Sequence, residues 1–443
     1  MNRALAVTLF LVCGSALLAQ TTAAIQTQAA PPASAASRYF SDSQGLAIAD
    51  LLQSVLNGNK DLQAAREQLR QARARLLQNG FRPNPTLDAT YTTDRLTSGS
   101  GSGGYSVTYT QPFELGGKRV RRVRVAEVAV EVAQAQIADA ERLAVAQVRT
   151  LYGEALAVAA RLDLLERTAE VNRQMLQVMS VRRKAGDASR LDETLLLASS
   201  SQVEAQRVQA LAQAEGFLLQ LGNLTGKTGD LPMLRRTSLE AAPPNLSEAG
   251  ETALALTTRP DLKVARLREE LSEAGIDLAK SAIVPDIAGF VRLGKDKLVL
   301  EGLPAPGARY VENDRSVSFG VSIPLPLFNR QQGAIAESVS QRTQARAQRE
   351  SLELAIRRDV AVAYRNYEAA GKTLALMRSG VLGQTQESFE IVRLAYQLGE
   401  LRLLDVVNQQ RILIDAQAAY AGAQRDYYVA LADLGRAVGA REF

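Results

Sequence analysis

Apolar residues recur every seven positions along one long stretch of the chain. Between Arg119 and Lys184 there is no proline and a single glycine, Gly153. The repeating positions are Val123, Val130, Ile137, Ala144, Leu151, Val158 and Leu165, with Ala126, Ala133 and Ala140 three places after the first three. A sustained heptad repeat predicts a coiled-coil helix, and small seam residues let helices approach closely. This helix would be roughly 100 Å long, so it needs partners of similar length.

Two other parts of the chain alternate between apolar and polar residues. In the first, Leu87, Ala89 and Tyr91 share one face, and the pattern resumes with Tyr105, Val107 and Tyr109 after the glycine-rich residues 98–104. In the second, a strand near Ile287 to Leu293 precedes the alternating residues Val317, Phe319, Val321 and Ile323. Alternation on both sides of a glycine-rich tip predicts a β-hairpin.

The chain contains an internal repeat. At an offset of 200, Asp61, Leu62, Ala65, Arg66, Ala74 and Pro85 match Asp261, Leu262, Ala265, Arg266, Ala274 and Pro285. At an offset of 213, Gly186, Leu191, Asp192, Leu221, Gly222 and Gly226 match Gly399, Leu404, Asp405, Leu434, Gly435 and Gly439. Two halves of the same design indicate duplication.

The repeat and the patterns together predict the following organisation. A signal peptide (1–24) and an extended lead-in (25–42) precede a first repeat (43–230), which has a helix, a hairpin (86–111), a long helix (119–184) and a return helix. A connector (231–246) leads to a second repeat (247–443) with a helix, a hairpin (287–323), a long helix (333–398) and a return helix.

Composition argues against catalysis. The 443-residue chain has no histidine, and its one cysteine, Cys13, lies in the apolar core of the predicted signal peptide. Val12 is a poor match to a lipoprotein box, which leaves a lipid anchor at Cys13 as a less favoured alternative. Without His and Cys, the commonest general base, metal ligand and thiol nucleophile are missing. We therefore predict that the protein is not an enzyme and has no catalytic, cofactor or metal site.

Two local features have competing interpretations. A basic run, Lys118, Arg119, Arg121, Arg122 and Arg124, has no aromatic or recognition element beside it, so we interpret it as a solvated helix start rather than a nucleic-acid site. Met175 and Met179 are one helical turn apart and could suit a soft metal, but packing is the favoured interpretation.

After the signal peptide no stretch of around 20 apolar residues occurs, so any membrane spanning must be done by strands. Four strands cannot close a barrel, and bacterial single-chain barrels start at about eight strands. The predicted fold is therefore mainly α with a small β part, with long coiled-coil helices and four strands per chain. Several chains must contribute strands to close a barrel, and three chains would give about twelve. Five residues would face lipid: Tyr91, Tyr105, Tyr109, Phe319 and Val321.

The chain resembles the TolC-like outer-membrane efflux proteins. The family's repeated opening is matched by Asp61, Leu62, Ala65, Ala72, Leu76 and Pro85, and by Asp261, Leu262, Ala265, Ile276, Ala279 and Pro285. Its hairpin-turn pattern is matched by Gly186, Leu191 and Asp192, and by Gly399, Leu404 and Asp405. The segments from Gln111 to Arg119 and from Pro324 to Gly333 are similar to the CzcC-like heavy-metal efflux branch.

The resemblance implies a homotrimer in the outer membrane of a Gram-negative bacterium, in contact with its lipid and with a large periplasmic portion. Each chain would contribute four strands to a 12-stranded trimeric outer-membrane β-barrel, and its helices would form a long α-helical coiled-coil barrel. It also implies docking to a periplasmic adaptor protein and an inner-membrane resistance-nodulation-division pump. The expected function is passive conduction of heavy-metal cations from periplasm to exterior. Alternatives are a channel for drugs or small organic molecules, a duct for type I protein secretion and, in a different class, a secreted coiled-coil scaffold.

The resemblance also implies site residues at the helix turns. Asp405 and Asp192 are candidates for gate or selectivity residues, because three carboxylates at a narrow mouth would attract cations. The alternative is that each aspartate caps its helix. The adaptor-docking tips would be Gly186, Asp187 and Arg190 in one turn, and Gly399, Glu400 and Arg402 in the other, with ordinary turn chemistry as the alternative.

Overall fold

A computed structural model describes residues 36–94, 101–186, 189–227, 229, 231–237, 246–301, 306–307 and 309–439. In the first half, a 3-10 turn (Ala36–Arg38) is followed by β1 (Phe40–Ser41), α1 (Ile48–Gly58), α2 (Lys60–Gly80), β2 (Thr86–Thr93), β3 (Gly103–Phe113), α3 (Lys118–Ala185) and α4 (Arg190–Leu224). The signal peptide and most of the lead-in predicted above lie outside the described residues.

The second half repeats this order. It comprises β4 (Leu234–Arg235), α5 (Glu248–Thr258), α6 (Pro260–Ser281), β5 (Ile287–Glu301), β6 (Arg309–Ser322), α7 (Gln332–Leu376), a π-helical turn (Met377–Val381), α8 (Leu382–Gln397) and α9 (Leu403–Val438). The fold is thus mainly helical with a small sheet. In the part of the chain that the structure describes, no helix combines the length and apolar character needed to cross a membrane.

Four strands form one antiparallel sheet in the order β2, β3, β5, β6. The register aligns Leu87, Tyr109, Val291 and Phe319 in one row across all four strands, and Ala89, Val107, Leu293 and Val317 in the next row on the same face. We call this the apolar face. Its side chains are open in the single chain: Leu87 is 70 % exposed and Phe319 77 %.

The second hairpin is longer than the first. Strands β5 and β6 were predicted to be short, near 287–293 and 316–323, but they extend to Glu301 and back to Arg309. The alternation that predicted them stops at Gly294, because Lys295, Asp296 and Lys297 are all polar and present no apolar face. Beyond Lys297, β5 pairs only with β6.

The helices pack into two equivalent cores, one in each half. In the first, Leu51 and Val55 of α1 contact the fully buried Val148 of α3 and Leu218 of α4. In the second, Ala255 of α5, Val360 of α7 and Leu434 of α9 pack in the same way. The short parallel pair of β1 and β4 ties the lead-in to the connector and buries Phe40 beside the first core.

The two long helices differ. Helix α3 runs without interruption, whereas the second long helix, predicted to be one element over 333–398, contains the π-helical turn between α7 and α8. Their starts also differ in sequence but share a geometry. Both begin after a residue in the left-handed region, Gly117 (φ 69°) in the first half and Gln331 (φ 63°) in the second.

The basic run at the start of α3 is a clamp between strands and helices. The Lys118 Nζ lies 2.7 Å from Asp286 Oδ1 just before β5, and Arg122 Nη1 lies 2.5 Å from Glu114 Oε1 just after β3. Arg124 pairs with Glu270 of α6, and Arg119 donates to the Gly80 carbonyl at the end of α2. The interpretation of this run as a solvated helix start therefore describes Arg119, Arg121 and Arg124, which are exposed. It leaves out the ion pairs that Lys118, Arg122 and Arg124 make.

The clamp perturbs an acid at its centre. The hydrogen bond from Arg122 lowers the pKa of the Glu114 carboxyl below its ordinary value, although burial opposes the shift. Since the folded state then binds fewer protons than the unfolded state, this group stabilises the fold at high pH and its contribution is lost as pH falls through the lowered pKa.

We predict that Glu114→Gln lowers the free energy of unfolding by about 1–2 kcal/mol at pH 7. The difference from wild type is expected to stay constant down to about pH 5 and to shrink below the ordinary glutamate pKa of 4.5. This difference in the free energy of unfolding is measured by guanidinium unfolding of the detergent-solubilised protein between pH 7 and pH 3. Glu337→Gln is the control, because Glu337 is an exposed carboxylate that accepts a hydrogen bond from the neutral amide of Gln341. Equal pH profiles for the two variants would contradict the prediction.

Candidate functional site

The two helix turns predicted as functional lie together at one end of the helical body. A small cluster joins them, with Met179 of α3, Leu196 of α4 and Leu403 of α9 buried at its centre. Around these three pack Met175, Leu176, Tyr396 and Val407. Arg182 also donates to the Tyr396 hydroxyl at 3.3 Å. We call this set of seven apolar residues the tip cluster. It holds the α3–α4 turn against the α8–α9 turn.

The α3–α4 turn reverses the chain through Gly186. Its backbone is left-handed (φ 87°), and its N–H donates to the Arg183 carbonyl at 3.1 Å, which closes the end of α3. Ser189 then caps α4, because its Oγ accepts from the Asp192 N–H at 3.1 Å and donates to Asp192 Oδ2 at 2.9 Å. Arg190 is exposed beside this cap. Asp187 lies outside the described residues.

The α8–α9 turn also reverses the chain through a left-handed glycine. Gly399 is left-handed (φ 82°), and the N–H of Glu400 reaches back to the Ala395 carbonyl at 2.9 Å. The N–H of Arg402, the residue just before α9, donates to Asp405 Oδ2 at 3.0 Å. Gly399, Glu400, Arg402 and Asp405 are all exposed.

The Asp405 carboxylate therefore makes a capping bond, whereas in the α3–α4 turn the cap is Ser189 and the Asp192 carboxylate accepts from the Ser189 hydroxyl. A carboxylate in the first turn of a helix satisfies a free N–H and is favoured by the positive end of the helix dipole. The capping interpretation is thus supported by a direct hydrogen bond to a backbone N–H at Asp405, but not at Asp192. The capping bond uses Oδ2 of Asp405, and the residue is exposed, so its carboxylate can still face solvent.

Leucines surround these polar turns. Leu191 is 66 % exposed, and Leu398 and Leu404 are exposed on the other turn. Exposed leucines beside charged turn residues form a mixed apolar and charged surface of the kind that binds another protein. The two turns together offer such a surface at the end of the chain's helical body.

A buried polar pair lies above the tip cluster. Gln410 of α9 donates from Nε2 to Asn172 Oδ1 of α3 at 3.2 Å, and both side chains are buried. The Nδ2 atom of Asn172 has no hydrogen-bond partner. A single polar residue at a coiled-coil seam position fixes the register of neighbouring helices at a cost in stability. The pair sets how α3 meets α9 just before the turns.

The sequence pattern contained a signal for this pair. The heptad positions counted to Leu165 continue to Asn172 and Met179 seven and fourteen residues later. Asn172 is polar, so a repeat defined by apolar residues ends at Leu165 although the heptad position continues. Met179 was interpreted as a packing residue, and the structure places it inside the tip cluster.

The described residues contain no group of three or more Asp, Glu, His or Cys side chains that could hold a metal ion. On the sheet, the face opposite the apolar one is polar. Its rows include Asp88, Thr108, Arg292 and Ser318, and Thr90, Ser106, Gly294 and Ser316. Across the four strands the sheet therefore has one mainly apolar and one mainly hydrophilic surface, with Phe290 as a large apolar side chain on the hydrophilic side.

Known proteins are similar to this chain over nearly all of its described length. The sequence profile of the family described as outer membrane efflux protein matches residues 51–227 and 252–440, which correspond to the two halves of the repeat. The cobalt-zinc-cadmium resistance protein CzcC of Cupriavidus metallidurans is 25% identical over 89% of this chain and 90% of its own length.

A second relative is similar in sequence, and a solved structure is similar in fold. The pyoverdine export outer membrane protein OpmQ of Pseudomonas aeruginosa is 25% identical over 83% of this chain and 80% of its own length. The crystal structure of the CmeC outer membrane channel of Campylobacter jejuni superposes with a TM-score of 0.72 at 15% identity, covering 88% of this chain and 85% of that one. At this identity the last match concerns the fold alone.

We predict that Asn172→Leu or Gln410→Leu alone destabilises the protein by about 1–3 kcal/mol, because each leaves the partner amide buried without its hydrogen bond. The double variant is expected to lie closer to wild type than the sum of the two, since both polar groups are then gone. Denaturant unfolding of the four proteins gives the coupling energy. Additive losses in the double variant would show that the two side chains do not act as a pair.

Proposed function

The chain belongs to the outer membrane efflux protein family, and from that membership we propose that it is the outer-membrane exit duct of a tripartite resistance-nodulation-division efflux system. It conducts substrate passively from the periplasm to the exterior, a transport function rather than catalysis. Its partners are two further copies of itself, a periplasmic adaptor and an inner-membrane pump.

The observation that carries the proposal is the two-faced sheet. The apolar face runs unbroken across four strands, and the opposite face carries charged and hydroxyl side chains. Strands β2 and β6 are the sheet's outer edges. In lipid an unpaired edge costs several kcal/mol per backbone group, so edges must close. Three copies would supply about twelve strands, within the range of bacterial barrels, with the hydrophilic face lining the pore.

The helices continue the duct into the periplasm. In a trimer the two turns of each chain would form the narrow inner mouth, and Asp405 and Asp192 would form carboxylate rings there. Such rings raise the local concentration of cations and disfavour anions. The exposed leucines and the charged residues Arg190, Glu400 and Arg402 support the turns as the adaptor-docking surface.

We propose heavy-metal cations as the cargo. The similarity to CzcC supports this assignment because it covers most of both chains. The similarity to OpmQ supports a second candidate, a small organic molecule, over a comparable length. A conduit does not need to chelate what passes through it, so the residues of the duct favour neither cargo.

Deletion of the gene tests the function and the cargo together. Growth is measured on zinc, cobalt, cadmium, nickel and copper, and in parallel on dyes, detergents and antibiotics. We expect selective sensitivity to metals, restored by the intact gene. Sensitivity to organic compounds alone would show that the cargo is organic, and it would leave the proposal of an exit duct unchanged. No sensitivity to any compound, with the adaptor and pump genes intact, would contradict the efflux function.

The gate role of Asp405 can be separated from its capping role. Asp405→Asn removes the charge but keeps a side-chain oxygen for the Arg402 N–H, whereas Asp405→Ala removes both. We expect both variants to lower the cation-to-anion permeability ratio by about twofold or more in planar bilayers. Only the alanine variant should also lose about 0.5–2 kcal/mol of stability.

Asp415→Asn serves as the control for total charge, because Asp415 is an exposed aspartate on the same helix, remote from the turn. If Asp405→Asn conducts like wild type while Asp405→Ala is merely less stable, the aspartate is a helix cap and not a gate residue.

A further inference from the structure

We propose that the outward face of the sheet carries a binding site for the phosphorylated headgroup of an outer-leaflet glycolipid, formed by Lys295, Lys297 and Arg315. The inference rests on the proposed function, because it takes the sheet to lie in the outer membrane with its hairpin ends outside. It concerns what the outside of the duct binds and not what passes through it.

The register defines where these cations lie. Tyr91, Tyr105, Lys295 and Arg315 are directly opposite one another in a single row across the four strands. This row follows the two apolar rows on the same face, on the side away from the helices. Lys297 is two residues further along β5 and therefore on the same face. The two apolar rows are thus followed by a row of two tyrosines and two cations.

Tyrosines at this position are typical of a membrane interface, where the ring contacts acyl chains and the hydroxyl contacts water. The strand from Ile287 to Lys295 spans nine residues, which is close to the length that crosses a bilayer. The cations are therefore at the height where acyl chains end and headgroups begin.

The three cations lack anionic partners. In the described ranges, Lys295, Lys297 and Arg315 take part in no ion pair. The carboxylates nearest along the strands, Asp296 and Asp314, face the opposite side of the sheet, because successive side chains alternate. Lys295 and Arg315 are also directly opposite each other, an arrangement that destabilises a strand pair unless an anion lies between the two.

The chemistry of the surroundings selects the anion. A free phosphate would gain nothing from the apolar rows below the cations, and an acidic peptide would not cover them. An amphiphile with a phosphorylated head and several acyl chains matches both parts at once, since its phosphates meet the cations and its chains meet Leu293 and Val317. In the outer leaflet of a Gram-negative membrane this amphiphile is the lipid A part of lipopolysaccharide.

The test measures binding of bisphosphorylated lipid A to the purified full-length protein in a neutral detergent, by native mass spectrometry. We expect the double variant Lys295→Gln/Arg315→Gln to weaken binding by about tenfold or more. Arg292→Gln is the matched control, because Arg292 lies on the same strand three residues away and faces the hydrophilic side. Its binding should equal that of wild type.

Further arms identify the ligand. The charge-preserving double variant Lys295→Arg/Arg315→Lys should retain most of the binding, which separates loss of charge from loss of folding. Dephosphorylated lipid A should bind weakly, and inorganic phosphate should not compete. Equal binding of phosphatidylglycerol and lipid A would overturn the assignment of the glycolipid. Equal loss in the Arg292 control would overturn the site.

The same samples distinguish this inference from the proposed function. Channel conductance in planar bilayers and recovery of the protein from the outer-membrane fraction test the duct itself. A double variant that conducts and localises normally, and binds lipid A like wild type, would reject the lipid site and leave the duct intact. If the wild-type protein neither conducts nor reaches the outer membrane, the proposed duct function itself is rejected.

Discussion

A sheet with two unpaired edges and an open apolar face is the constraint on which the rest of this structure depends. The exposed backbone groups of β2 and β6 and the exposed side chains of Leu87 and Phe319 are incompatible with a single chain in water. Lipid removes the cost of the apolar face but increases the cost of the edges, because no water is present to satisfy them. Only closure with further strands removes both, so the fold of one chain is a part of a larger assembly.

The clamp at the start of α3 connects this sheet to the helical body. The backbone hydrogen bonds of a strand and of a helix run in different directions, so carbonyls at the end of α2 need other partners at the junction. Carboxylates near β3 and β5 lie at the same junction and also need partners. The basic run satisfies both: Arg119 binds the Gly80 carbonyl, and Lys118 and Arg122 bind Asp286 and Glu114. Cations are unfavourable at a helix N-terminus by themselves. The neighbouring carboxylates offset that cost and hold the two parts in a fixed relation.

The parts predicted well from sequence are those that depend on period alone. The apolar and polar faces of the sheet follow from alternation, and the long helices follow from the heptad repeat. What could not be predicted depends on contacts between distant segments. Glu114 and Lys118 are close in sequence, but Asp286 and Glu270 reach the basic run only after the second half has folded onto the first. Likewise, polar Asn172 continues the seam, and its role appears only beside Gln410.

The duplicated halves have diverged where their surroundings differ. Their offset grows from 200 at Asp61 and Asp261 to 213 at Gly186 and Gly399, and the added residues lie mainly in the longer β5–β6 hairpin. Lys295 and Lys297 lie just before that extension on the outward face, while the first hairpin has tyrosines at the height of Lys295 and Thr93 and Gly103 at the height of Lys297. The basic run of the clamp, conversely, occurs in the first half, since Gln331 and Gln332 occupy the corresponding helix start in the second. The first half thus supplies the cations that join the sheet to the helices, and the second half supplies Asp286 and Glu270 and extends the sheet past the apolar rows.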